Sequence, residues 1–143
     1  MSAAVPVELA QMVAPGNVVG IDNEPVPLEP ARADAQRQGV SNVSFTMGDV
    51  YQLNYPERTF DVVHAHQVLQ HLTEPVAALR EMRRVCKPNG YVAARDADFS
   101  VMVWYPPEDR LVRWRALYRR VAYSNRTEPD AGRRLLSWAR SRI

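Results

Sequence analysis

Four short segments set acids, amides or imidazoles directly behind β-branched apolar runs: Asp22-Asn23, Gly48-Asp49-Val50, His64-Ala65-His66-Gln67 and Arg95-Asp96-Ala97-Asp98. A carboxylate offers two oxygens in a fork, so an acid at a strand end can accept both hydroxyls of a ribose. An acid followed by a backbone N–H, as at Asp49 and Val50, can read the edge of an adenine. Each feature taken singly is weak, and Asp22 serves equally well as the cap of a following helix. His64 and His66 point to one face of an extended segment, and with His71 they raise the question of a metal site. Such an ion needs third and fourth ligands at about 2 Å, and the stretch from Gln67 to Thr73 holds no acid. No metal is therefore expected. His66 is read as a pocket-lining residue and His71 as a helix-entry residue. Imidazole is a common general base, and either side chain would suit that role.

Positioning these groups requires strands that end together. Asn17–Asp22 follows Pro15-Gly16 and reads as a short buried strand. Three prolines then precede a helix that starts near Glu29, proline being tolerated in a first turn, and Gly39 supplies its stop. Val43–Met47 and Phe60–Ala65 read as the second and third strands. Thr73 is expected to cap a helix Glu74–Val85, with Pro75 in its first turn and Leu72, Val76, Leu79, Met82 and Val85 at helical spacing. Lys87-Pro88-Asn89-Gly90 reads as a tight turn and Tyr91–Arg95 as a fourth strand. Continuous apolar strands joined by helix-length crossovers imply an α/β fold, a mostly parallel sheet of about four strands with helices on both faces. Ligands bind such sheets at the carboxyl ends of the strands, where all four segments fall. Beyond Pro106-Pro107 an amphipathic helix is expected over Glu108–Ser124, and another over Ala131–Arg142. The expectation is one domain over 1–143, α/β over 1–109 and helical and basic over 110–143.

Composition bounds the function classes. The chain has 143 residues, 46% hydrophobic and 24% charged, the size and balance of one soluble domain. No apolar run approaches the roughly 20 residues of a membrane helix. Residues 1–16 carry no Lys or Arg, so no secretory signal is expected and the default location is cytoplasmic. Cys86 stands alone, which excludes an intrachain disulfide, and is read as an inert core residue. Residues 1–109 hold 8 Lys/Arg against 14 Asp/Glu, whereas 110–143 hold 10 Arg against 2 acids. That asymmetry fits a nucleic-acid surface or an arginine-rich solvated helix face. Lys87 apart, every basic residue is arginine, which favours the solvated face. Tyr51, Trp104 and Tyr105 read equally as an aromatic wall over a substrate or as cover for the core. Trp114, Tyr118 and Trp138 follow helical spacing and read as packing residues.

Taken together, VVGID, then SNVSFTMGDVYQLNYPERTFDVVHAHQVLQHL, then VAALREMRRVCKPNGYVAARD resembles a class I S-adenosylmethionine-dependent methyltransferase of the ubiquinone/menaquinone-biosynthesis-like group. The likeness spans roughly residues 10 to 105. It implies a Rossmann-like fold and S-adenosyl-L-methionine as cofactor. It further implies that Asp22 binds the ribose, that Asn23 packs on the adenine, and that Asp49 with Val50 contacts the adenine amino group. His66 and Gln67 would line the methionine end and the substrate pocket.

Family members open with a strand and a loop of the form acid-x-Gly-x-Gly-x-Gly, whose glycines let the backbone approach the cofactor. Residues 1–143 contain no such segment, and Pro6–Ala14 resembles the end of the helix that follows it. The resemblance therefore implies an N-terminally truncated, incomplete sheet, and weak cofactor binding by this chain. With the central strand missing, direct pairing of Val18–Ile21 with Phe60–Ala65 into one four-stranded sheet is expected. The functional expectation is methyl transfer to a small-molecule acceptor. The alternatives are a catalytically impaired remnant or binding module and, less favoured, a nucleic-acid-binding module.

Overall fold

The computed structural model describes residues 4–141. The chain divides into two compact units, Met1–Asn54 and Tyr55–Ile143. The fold is α/β with parallel strand pairs, as expected.

In the first unit, helix α1 (Ala4–Val13), strand β1 (Val18–Asp22), helix α2 (Leu28–Arg37) and strand β2 (Val43–Met47) follow in order. The α1 helix carries the Pro6–Ala14 segment, which the sequence likened to a helix end. Val7 and Ala10 are fully buried, three residues apart on one helix face. Asn42 ties this layer together, its amide donating to Ala10 O and to Gly16 O, each at 2.7 Å. Leu28, Ala31 and Ala35 form the buried stripe of α2. Gly39 takes φ +67° just past that helix, and Val40 N donates back to Ala35 O at 2.9 Å. This is the left-handed stop that the glycine announces. Strands β1 and β2 pair in parallel from Val18–Val43 to Asp22–Met47.

In the second unit, strand β3 (Phe60–His66), a 3₁₀ turn (Leu69–His71), helix α3 (Pro75–Val85) and strand β4 (Cys86–Arg95) form a parallel strand–helix–strand crossover. Ala78, Leu79, Met82 and Val85 bury one face of α3, and Cys86 is buried as expected. Two details correct the sequence reading. The helix cap is Glu74, without a side-chain bond, and not Thr73; Pro75 fixes the first helical position one residue too late for a threonine at 73. The Lys87–Gly90 segment lies within β4 and is not a separate turn. Register jumps there from Phe60–Cys86 to Val62–Tyr91, Asn89 has φ +65°, and Lys87 Nζ holds Asp61 at 2.9 Å.

The expected closure into one four-stranded sheet is also corrected. The partner of β1 is β2 and that of β3 is β4, giving two two-stranded sheets. Each strand pairs with the one reached through its own crossover helix, the pairing with the shorter loop to close.

The remaining elements are a 3₁₀ turn (Phe99–Val101), helix α4 (Asp109–Ser124), a 3₁₀ segment (Ala131–Arg134) and helix α5 (Leu135–Ala139). The single helix expected over Ala131–Arg142 is thus two short pieces, and Arg142 lies outside the described residues. No residue of α4 is buried. Its aromatics pack on Phe99 instead, with the Phe99 and Tyr118 rings stacked at 4.3 Å and Trp114 and Tyr118 at 5.7 Å. Of the arginines beyond residue 109, Arg119 grips Asp130 at 2.6 Å, Arg133 grips Asp98 at 2.6 Å and Arg134 holds Glu128 at 2.6 Å. Arg115 donates to Met102 O and lies over the Trp104 ring. These arginines are engaged by intrachain partners.

The two gripped carboxyls make the fold acid-sensitive. Arg133 holds the Asp98 carboxyl below the usual carboxylate range, against burial. For Asp130 burial acts upward, and the contacts of Arg119 and Tyr123 outweigh it, so the net direction is again downward. Carboxyls depressed in the fold contribute their full stability above the unfolded value of about 3.9 and lose it as pH falls through the lower folded values. Near-ultraviolet dichroism of the tryptophans, followed from about pH 5 to about pH 2, is expected to show loss of packing only below about pH 4. The same transition in Arg119→Ala is expected to start at higher pH.

Candidate functional site

In the first unit, the carboxyl ends of β1 and β2 lie side by side because the strands are parallel and in register. Gly48 N donates to Asp22 O at 3.0 Å, which extends the ladder one residue and brings Asp49 beside the end of β1. Asp22 is half-buried, Asn23 and Asp49 are exposed, and Val50 is half-buried. Asp22 Oδ1 accepts from Glu24 N at 3.1 Å. The N-cap of α2 is Pro27, without a side-chain bond, so Asp22 is not the helix cap that the sequence left open. Asp49 Oδ1 accepts from Tyr51 N at 2.9 Å and its carbonyl from Gln52 N at 3.0 Å, which fixes a tight turn at the strand end. Two acids held on adjacent strand ends suit a vicinal diol and a heterocyclic edge.

In the second unit, β3 and β4 end at His66 and Arg95, which are register partners. His66 Nε2 lies 3.1 Å from Arg95 Nη1, and the His64 and His66 rings are 6.1 Å apart on the same strand face. Burial, then the neighbouring His66, holds the His64 imidazole below its usual value. Gln67 adopts φ +56°, unusual for a residue with a β-carbon, and its N–H donates to Arg95 O at 2.8 Å. Among the described residues no group of three His, Cys, Asp or Glu side chains gathers as a metal site.

Two polar residues that the sequence left unassigned carry buried side-chain oxygens here. Gln70, 5% exposed, donates through Nε2 to Gln67 Oε1 at 2.8 Å and lies 3.1 Å from His71 Nε2. Its N–H donates to Asp96 Oδ1 at 3.0 Å. Gln70 Oε1 and Asp96 Oδ2 are both buried without a hydrogen-bond partner. Burial pushes the Asp96 carboxyl above the usual range, against the backbone donors of Gln70 and Leu69 and the nearby His71 and His66. The sequence signal for Asp96 was its place behind β4. Gln70 gave none, being a polar residue between Leu69 and His71.

Of the aromatic residues left open as a wall or as core cover, Tyr105 is 98% exposed and covers no core. Trp104 is half-buried and Tyr51 exposed. No described helix is long and apolar enough to cross a membrane.

The profile of a methyltransferase-domain family matches residues 4–138. An uncharacterised methyltransferase of Schizosaccharomyces pombe is 37% identical over 144 residues, covering 94% of this chain and 50% of the yeast protein. A ubiquinone/menaquinone biosynthesis C-methyltransferase of Bdellovibrio bacteriovorus is 36% identical over 86 residues, covering 60% of this chain and 36% of that one. Among solved structures, an S-adenosylmethionine-dependent methyltransferase from Aquifex aeolicus superposes with a TM-score of 0.64 at 26% identity, over 85% of this chain and 66% of that one. The [4+2]-cyclase SpnF superposes with a TM-score of 0.62 at 31% identity, over 66% of this chain and 35% of that one. The chain spans about half the length or less of the curated relatives described here.

Proposed function

This chain belongs to the methyltransferase-domain family, and from that premise we propose that it handles S-adenosyl-L-methionine for methyl transfer to a small-molecule acceptor. The observation that carries the reading is the pair of acids, Asp22 and Asp49, on adjacent ends of a parallel strand pair. In this reading Asp22 accepts the ribose hydroxyls, Asn23 packs on the adenine, and Asp49 with Val50 reads its amino edge. His66 and Gln67 line the methionine end. The cofactor supplies a methyl group on a sulfonium, which a substrate nucleophile displaces in line. Alignment supplies a large share of the barrier reduction, so the reaction does not oblige the protein to provide an acid or base. Residues 1–143 serve as one methyltransferase domain in this reading, located in the cytoplasm. The basic end, where Arg115, Arg119, Arg133 and Arg134 have intrachain partners, is in this reading a solvated face and not a nucleic-acid surface.

The test is an NMR titration of the chain with S-adenosylhomocysteine, followed at the amides of residues 22–24, 48–51 and 66–67. Saturable shifts confined to these strand ends are expected, with a dissociation constant weaker than micromolar, since these contacts supply only part of a usual cofactor grip. Shifts scattered elsewhere, or none at millimolar ligand, would overturn the reading. A second reading, a binding module that does not transfer methyl groups, draws on the neighbour named as a cyclase. It is favoured if the cofactor binds but no labelled methyl group reaches any small molecule.

A further inference from the structure

We propose that Asp96 and Gln70 form a proton-operated latch on the Leu69–His71 turn, closed when the Asp96 carboxyl is neutral and loosened when it ionises. The proposal goes beyond the methyl-transfer reading and stands without it, and every group it uses belongs to the second unit. Asp96 directly follows β4, and its Oδ1 accepts the Gln70 N–H at 3.0 Å. Its Oδ2 is buried without a hydrogen-bond partner, and so is Gln70 Oε1. Both orphans are acceptors. A buried carboxylate oxygen with no donor is an unfavourable place for charge. A proton taken from solvent onto Oδ2 removes that charge and turns one surplus acceptor into a donor.

The Gln70 amide does not supply the missing donor, because its N–H groups are committed elsewhere. Nε2 donates to Gln67 Oε1 at 2.8 Å and lies 3.1 Å from His71 Nε2. An amide nitrogen only donates, so that second contact uses the histidine nitrogen as acceptor. The segment that carries Gly132 seals the cluster from the other side. Glu128 N donates to Gln70 O at 3.2 Å, and a β-carbon at Gly132 would stand 2.9 Å from Asp96 O, so only a glycine allows that approach. The cations nearby turn to other acceptors. Arg133 holds Asp98, Arg134 holds Glu128 and Arg119 holds Asp130, while Arg95 lies against His66. From α3, Arg83 reaches Cys86 O and Arg84 reaches Glu81. Burial pushes the Asp96 carboxyl above the usual range, against the backbone donors of Gln70 and Leu69 and against His71 and His66. A carboxyl raised in the fold takes up its proton on folding. Its contribution to stability therefore grows as pH falls through the folded value, and is complete below the unfolded value of about 3.9. Asp98 and Asp130 respond in the opposite sense. Loosening the latch frees Gln70, and with it the side chains of Gln67 and His71.

The test reads the full chain by NMR. The carbon-13 shift of the Asp96 carboxyl is followed from about pH 8 to about pH 4, and its midpoint is expected above the usual value of about 3.9. Hydrogen-exchange protection of the Gln70 amide, corrected for the intrinsic rate, reads the latch itself. Asp96→Asn is the reference, since its amide carries an acceptor and a permanent donor where the neutral carboxyl has them. Between about pH 7.5 and about pH 4.5, protection in the wild-type chain is expected to rise about twofold or more relative to that variant. The comparison cancels the effect of histidines common to both chains. An Asp96 midpoint at the usual value or below it overturns the proposal, whether or not the variant folds. Equal pH responses in the wild-type chain and Asp96→Asn overturn it too, because the proton then acts at another group.

Discussion

Asp22→Ala is expected to lower affinity for S-adenosylhomocysteine about a hundredfold or more, which places binding beyond reach of a millimolar titration. Hydrogen bonds to an ionised carboxylate contribute about 1.5–3 kcal/mol each, and a ribose diol makes two of them. About 1.4 kcal/mol is a tenfold change in affinity, so loss of the fork alone exceeds a hundredfold. The position makes this substitution diagnostic. Asp22 closes β1, where its carbonyl still accepts Gly48 N–H, and that backbone bond survives the removal of the side chain. The carboxylate also receives Glu24 N–H, so Asp22→Asn, which keeps an acceptor for that turn, separates the two roles. If Asn keeps the turn yet loses the ligand, the charge is what the ligand needs. If Asp22→Ala binds as tightly as wild type, the ribose assignment is wrong, and the case for the first unit as a cofactor site goes with it.

How much of this was legible in the sequence divides along a physical line. The strands, the α2 stop at Gly39 and the apolar stripe of α3 are set by contacts within a few residues, which periodicity and turn chemistry report directly. The placement of Asp22 and Asp49 at strand ends was legible because an acid written directly behind an apolar run falls at the strand's carboxyl end. The pairing of strands was not. An apolar run says that a strand is buried, not which neighbour buries it, and the expected join of β1 to β3 gave way to two locally connected pairs. The break of the last helix at Leu135 was hidden for a similar reason. Residues 131–134 are shaped by packing at Gly132 against the Asp96 and Ala97 carbonyls, more than thirty positions away. Gln70 was the least visible of all. Nothing in its type distinguishes it from a surface glutamine until the Leu69–His71 turn folds against Asp96.

That turn also carries one of the fully buried apolar side chains of the second unit. Leu69→Ala is expected to cost about 2–5 kcal/mol of unfolding free energy, the range for emptying a closed apolar site. Leu69 is fully buried and among the largest such side chains in the chain, and it sits in a turn that packs against α3. A total stability of about 5–15 kcal/mol leaves little margin for such a loss. Leu136→Ala is the control, since its side chain is 63% exposed and such changes stay within about 0.5 kcal/mol. Urea unfolding followed by tryptophan fluorescence reads both. The midpoint is expected to fall steeply for the first variant and hardly at all for the second. A cavity at Leu69 lets the turn shift toward the empty volume, away from the Asp96 carboxyl that accepts the Gln70 N–H. Leu69→Met, which refills most of the space, is expected to recover most of the stability. Equal midpoints for Leu69→Ala and wild type would mean that this turn is not part of the folded core.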